Sequence, residues 1–333
     1  MSDKKTTLAA IVVSGDPATF STWLRSTFLE LARHANVRIV LVPFGAYNKA
    51  VRHLAPQSIE ICEPSSKDTT LEANRNTALE YLRAKRADKA DLVAFLDDDT
   101  FVNPAWVDAM TDVSDTNRNI DAFASVVFTE GWSEMQGQGH VFIEGAPRDR
   151  GYRGKCLKQP ILCPCGNSAV IRWTALERIW RVDRQAWDPL FKQAQTCFDF
   201  GLKLYLTNTR TMVVPGAVTQ HRGYLTWDAA KKKENGCAKA ERQLTSRYLL
   251  YKKFLPKDLE QKVLAHLEQK LGKWQKNGYP GFEECVIGEK VKAINKKAKN
   301  CADDLAREIK CETWKSSMKD LEKTEALKIL GLT

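Results

Sequence analysis

The sequence predicts an α/β protein: a Rossmann-like, mostly parallel mixed sheet covered by helices on both faces, followed by a region that is helical throughout. Three observations carry this. Over the first two thirds, short apolar runs bounded by Gly and Pro alternate with helical periodicities, the pattern of strands joined by crossover helices. From about Trp227 the chain turns Lys/Glu-rich, with apolar residues three and four apart. Within the first of these regimes, one buried-strand run, residues 90–96, stops on Asp97-Asp98-Asp99. We therefore place an α/β domain at 1–225 and a basic α-helical region at 226–333.

In order, residues 8–13 read as a first strand running into Ser14-Gly15-Asp16-Pro17. Phe20, Trp23, Leu24, Phe28 and Leu31 recur at helical spacing. Residues 37–42 form a second strand closed by Pro43 and Gly45, and a shorter apolar segment spans 58–62. Residues 70–85 read as a helix carrying Asn74-Arg75-Asn76. After the strand that ends on the three carboxylates, a short helix spans 104–110 and a strand spans 122–128, followed by Glu130-Gly131-Trp132. The irregular segment 131–160 holds one strand, 140–143, and offers loops that could shape an acceptor cleft. A turn at 164–167 leads into a strand, then a helix at 173–180 and another at 198–205. A strand at 211–214 precedes Pro215-Gly216 and Val218 to His221. In the last third, Leu259, Val263, Leu267, Leu271 and Trp274 draw an apolar stripe, and 291–305 and 314–330 read as further helices. The stripes serve internal packing or oligomerisation; the sequence leaves both open.

With 333 residues, 43% of them apolar, the chain can bury a sizeable core. The excess of basic over acidic residues is 10, and residues 226–333 hold 24 Lys and Arg against 16 Asp and Glu. That basic stretch is either a solvated helical surface or a face for phosphate-rich partners such as nucleic acid. No apolar run reaches the ~20 residues needed to cross a bilayer, and the opening apolar stretch is too short for a signal-peptide core. A cytoplasmic protein is expected, so the nine scattered cysteines read as free thiols.

Three adjacent carboxylates at the end of a buried strand repel one another and are costly to desolvate. A divalent cation is the simplest counter-charge, gripped from one side by carboxylates at i and i+2. A polar strand end with a helix cap is the plainer alternative. In open α/β sheets ligands bind beyond the carboxyl ends of the strands, which directs the ends at 14–16, 45–48 and 97–99 toward one crevice.

The order Ala73-Asn74-Arg75-Asn76, Leu96-Asp97-Asp98-Asp99, Gly166-Asn167-Ser168-Ala169 and His221 resembles the family 2 glycosyltransferases of the GT-A fold, with residues 95–106 similar to rhamnosyltransferase-type members. The resemblance spans residues 8–225. It implies a nucleotide-sugar donor over the strand ends, with Asp97, Asp99 and the late His221 holding Mn2+ or Mg2+ against its diphosphate. It further implies that Asp98 lies against ribose or sugar, that Ser14, Asp16, Arg75 and Asn76 line the nucleotide, and that Trp132, Gly166 and Asn167 face the acceptor. An inverting transfer to an acceptor hydroxyl needs a carboxylate base. Where relatives carry Glu-Asp, this chain aligns Thr196-Cys197; Asp199 and Asp188 are the candidates in its place. The acceptor would be a glycan or a hydroxylated base in DNA, and the alternative is a catalytically silent domain that binds nucleotide sugar or nucleic acid.

Overall fold

The computed structural model describes residues 6–65, 69–85, 90–129, 131, 134–149, 161–191, 194–222, 236–279, 286–309, 311–321 and 323–332. The chain forms two compact units: Met1–His140 with Asp149–Thr226, and Val141–Arg148 with Trp227–Thr333.

The first unit is built on β1 (Leu8–Ser14), which pairs in parallel with β2 (Val37–Pro43) on one side and β4 (Leu92–Asp97) on the other. The register sets Ser14 beside Pro43 and Val13 beside Asp97, so the carboxyl ends finish level. All seven residues of β1 are buried, as expected for a strand covered on both faces. Its side chains alternate between two cores: Ala9, Ile11 and Val13 join Phe95, Trp187 and Phe200, while Leu8, Ala10 and Val12 join Phe20, Trp23 and Trp106. The period of two assigns each set to its own layer. Truncating Phe95 would remove contacts to both Trp187 and Phe200 (centroids 5.1 and 6.1 Å away), a loss of about 3–5 kcal/mol.

Beyond β4 the sheet turns mixed. β10 (Ser168–Arg172) lies antiparallel between β4 and β6 (Ala122–Thr129), and β11 (Thr211–His221) runs parallel to β6. β5 (Thr100–Val102) is antiparallel to β11, giving the order β3-β2-β1-β4-β10-β6-β11-β5, with β3 (Glu60–Ile61) at one edge and β7 (Met135–Gly137) against β6. The helices of this unit are α1 (Pro17–Trp23), α2 (Leu29–Ala32), α3 (Asn48–Leu54), α4 (Leu71–Ala84), α5 (Trp106–Thr116), α6 (Trp173–Asp183) and α7 (Thr196–Leu206). Asp16 caps α1 by accepting from Ala18 N, and Thr70 caps α4 by accepting from Ala73 N.

Several elements differ from the expected pattern. The helix expected across 20–31 is interrupted by a π-helical turn, Leu24–Phe28, where buried Thr27 donates to Thr100 O (2.8 Å). The strand expected to stop at 214 continues to His221, because the register shifts between Val213 and Val218. That bulge lets Pro215 sit where its missing N–H breaks no ladder. Helix α5 runs to Thr116 rather than 110, and α3, short and weakly patterned, was not expected.

The second unit contains α8 (Gly236–Phe254), α9 (Lys257–Asn277), α10 (Glu289–Ala306), α11 (Cys311–Lys319) and α12 (Lys323–Ile329). The helix expected across 314–330 is thus two helices. The stripe Leu259, Val263, Leu267, Leu271 and Trp274 is buried. A hairpin, β8 (His140–Ile143) to β9 (Ala146–Asp149), turns on Glu144-Gly145 with φ of 49° and 70°, the left-handed pair of a type I′ turn. A Cβ at Gly145 would approach Val263 to 2.9 Å.

At the edge of the sheet, Glu60 on β3 accepts from Arg38, Lys85 and Tyr81. The Arg38 hydrogen bond foremost, opposed by burial and helped by Lys85, holds the Glu60 carboxyl down at about 2. A depressed folded pKa stabilises above the unfolded value, ~4.3, and that contribution is lost as pH falls toward 2. Urea midpoints measured from pH 5 to pH 2.5 should therefore fall less steeply for Glu60→Gln than for the parent chain; parallel curves would contradict this.

Candidate metal centre

β4 ends on Asp97, and Asp98 and Asp99 follow in the two-residue step to β5. The antiparallel pairing of β5 with β11 sets Thr100 opposite His221, which carries the imidazole back to the carboxylates. One donor atom each from Asp97, Asp99 and His221 lie within 4.8 Å of one another. His221 Nε2 stands 3.2 Å from Asp99 Oδ1. Two ligands each ~2.1 Å from one ion at right angles stand ~3 Å apart, so two carboxylates and an imidazole at this spacing fit a divalent cation such as Mn2+ or Mg2+. The other ring nitrogen, Nδ1, faces Gln136 Oε1 at 3.1 Å. An Nδ1–H donated there leaves Nε2 with its lone pair, the usual outer-sphere device for a histidine ligand.

Electrostatics point the same way. Burial pushes Asp97 above the usual carboxylate range, Asp99 adds to that, and Arg75 and His221 pull it back. Burial likewise raises Asp98 to about 7, with Asp97, Asp99 and Asp16 adding repulsion and a hydrogen bond from Ser14 (Oγ to Oδ2, 2.6 Å) opposing it. For His221, burial works against the charge but the Asp99 hydrogen bond and the three carboxylates outweigh it, and its pKa rises. Three carboxylates here face Arg75 and His221.

Arg75 is the chief cation. It is 3% exposed, pairs with Asp97 Oδ1 at 2.5 Å, and donates to Gly166 O at 2.9 Å. Its guanidinium lies 4.6 Å from the Trp187 ring centre, and Trp187 stacks on Phe200 at 4.3 Å. The residues flanking Arg75 do different work. Asn76 donates to Trp187 O and accepts from Ala186 N and Trp187 N. Asn74 accepts from Ser65 N and donates to Thr70 O. Both asparagines fix backbone, and between them α4 aims Arg75 at the carboxylates. Asp16 is similarly engaged at the start of α1, accepting from Ala18 N and Thr19 Oγ1.

The 166–167 turn reaches the centre because Asn167 O accepts from Asp97 N (3.3 Å) and Ser168 pairs with Leu96. Gly166 is enclosed: a Cβ there would lie 2.7 Å from Cys197 Sγ and 3.3 Å from Trp187. Cys197 is thus a neighbour of Arg75 and of the turn. Asp199, one turn into α7, is fully buried and 3.2 Å from buried Lys203 Nζ, which also pairs with Asp183 (2.6 Å). Asp188 is 2% exposed and accepts from Leu190 N at 3.0 Å. Trp132 lies outside the described residues. Gln136 was missed from sequence because it sits in a short strand without apolar alternation.

The fold is that of the GT-A glycosyltransferases. Residues 43–180 match the family model described as glycosyl transferase family 2. Among solved structures the chain is similar to GalNAc-T7 with UDP, GalNAc and Mn2+ (11% identity, TM-score 0.53), covering 99% of this chain and 59% of that one. It is also similar to S. aureus TarS 1-349 (12% identity, TM-score 0.51), covering 94% of this chain and 90% of that one. The chain thus spans little more than half the length of the first of these. No curated protein matches it.

Because Asp98 is held near 7 in the folded chain against ~3.9 unfolded, its charge opposes folding above neutrality. In chelator-treated protein, Asp98→Asn should raise stability at pH 8 by roughly 1–2 kcal/mol and leave it nearly unchanged at about pH 2.5, where both states are protonated. Urea melts at the two pH values check this; a destabilised variant at pH 8 would contradict it.

Proposed function

We propose that this chain is a metal-dependent nucleotide-sugar glycosyltransferase. The observation that carries the reading is the Asp97–Asp99–His221 triangle, set at the carboxyl ends of β1 and β4 where an α/β sheet receives its ligand. These three side chains would hold Mn2+ or Mg2+, which when bound supplies charge for a departing diphosphate. Ser14 and Asp98 would meet the nucleotide ribose or sugar, and Arg75 the diphosphate; Asp16 and Asn76 would shape the same wall through the backbone they fix. Gly166, Asn167 and Trp132 would line the acceptor side. Hexosyl or deoxyhexosyl transfer with inversion to a glycan hydroxyl is the reaction favoured. The basic region 226–333 keeps a hydroxylated base in DNA as a further acceptor class.

A specific observation favours a second reading. Asp199, the candidate base nearest the position of the missing Glu-Asp pair, is fully buried against Lys203, and Asp188 is also buried. A proton acceptor must reach the attacking hydroxyl, so a domain that binds donor without transferring sugar is the alternative.

A thermal-shift screen of UDP-, GDP- and dTDP-sugars with and without Mn2+ tests the first claim. One nucleotide class should raise the melting temperature by roughly 5–10 °C at saturation, only with metal, and Asp99→Ala or His221→Ala should abolish the shift. Slow sugar release from that donor would favour the enzyme, and binding without release the silent domain. If no donor binds or is hydrolysed at any Mn2+ concentration, the proposal fails.

A further inference from the structure

The helical unit contains a second centre of charge unrelated to the carboxylates. Gln243, Arg247 and Tyr251 recur every fourth residue of α8 and so share one face of the helix. Arg247 is only 6% exposed, and its Nε and Nη1 are buried without a hydrogen-bond partner. Its neighbours are already engaged in ways that leave it unneutralised. Tyr251 donates to Gly145 O (2.7 Å), and Tyr279, packed on Trp274 at 4.6 Å, donates to Gln243 Oε1 (3.3 Å). Among the described residues no carboxylate pairs with Arg247. The charges of Arg247 and of exposed Arg148 on β9 both act to lower the phenols of Tyr251 and Tyr279. Burial raises both phenols, Tyr251 to about 12, so neither offers a negative charge near neutrality.

A guanidinium withdrawn from water without a counter-ion is strongly unfavourable, and unsatisfied buried donors add to the cost. A buried, unsatisfied arginine against neutral tyrosines is suited to an oxyanion, which Arg recognises through several N–H donors. We infer that Arg247, with Arg148 contributing charge, forms a phosphate-binding site in the helical unit. The ligand class is a phosphate group, either free or as the diester of a longer molecule, and the site is independent of the nucleotide-sugar reading.

The test uses the full-length chain in phosphate-free buffer, with inorganic phosphate and dimethyl phosphate titrated against sodium chloride of equal ionic strength. Inorganic phosphate should raise the melting temperature saturably, with Kd below about 10 mM, and chloride should not. A matching response to dimethyl phosphate identifies a diester site; a response to inorganic phosphate alone identifies a free phosphate or monoester site. Arg247→Met should abolish the response while melting no lower than the parent in phosphate-free buffer, since it removes an uncompensated buried charge. Arg148→Ala should weaken binding several-fold. No phosphate response beyond chloride, an undiminished response in Arg247→Met, or a large loss of unliganded stability in that variant would each overturn the proposal.

Discussion

The repulsion among Asp97, Asp98 and Asp99 is the constraint around which the first unit is arranged. Burial raises the pKa of Asp97 and Asp98, and the neighbouring carboxylates add to it, so their charges oppose folding. What surrounds them is placed accordingly. Helix α4 delivers Arg75 from one side, the β5–β11 pairing delivers His221 from the other, and Ser14 at the end of β1 caps Asp98. Each comes from a different element, and each depends on the register of the sheet. A one-residue slip of β11 would turn His221 to the opposite face.

The support reaches further than the charges. Trp187 and Phe200 stack beneath Arg75, and Phe95 meets both edge-on from β4, the strand that carries the carboxylates. The apolar core therefore fixes the orientation of the cation as well as filling space. The amide of Asn76 locks the 186–187 backbone and with it Trp187. Gly166 closes the arrangement, since a Cβ there would collide with Cys197. A buried ion pair is by itself weak evidence of stability. Here three clustered carboxylates, two of them with raised pKa, are the kind of arrangement found at functional sites.

Parts of this were legible in the sequence. Adjacent carboxylates after an apolar run announce themselves, and the alternation of strands and helices fixes the layers because each pattern has its own period. The long apolar stripe of α9 was read for the same reason. Other parts were hidden for physical reasons. The bulge that carries β11 past Pro215 depends on pairing with β6, a non-local partner. Gln136 has no local signature, because an outer-sphere hydrogen bond needs only one carbonyl in the right place. The different work of Asn74, Arg75 and Asn76 cannot be separated in one dimension, since helix rotation decides which side chain faces the centre. The burial of Asp199 against Lys203 follows from an i,i+4 pair whose depth in the core only tertiary packing sets.

The central claim is that Asp97, Asp99 and His221 together grip one divalent cation that also meets a diphosphate. Pulsed EPR of Mn2+ added to the full chain tests it directly. The account predicts one bound Mn2+ with 14N coupling from an imidazole, lost in His221→Ala, and 31P coupling that appears when a nucleoside diphosphate is added. Bound Mn2+ showing neither coupling, or 14N coupling that survives in His221→Ala, would contradict it.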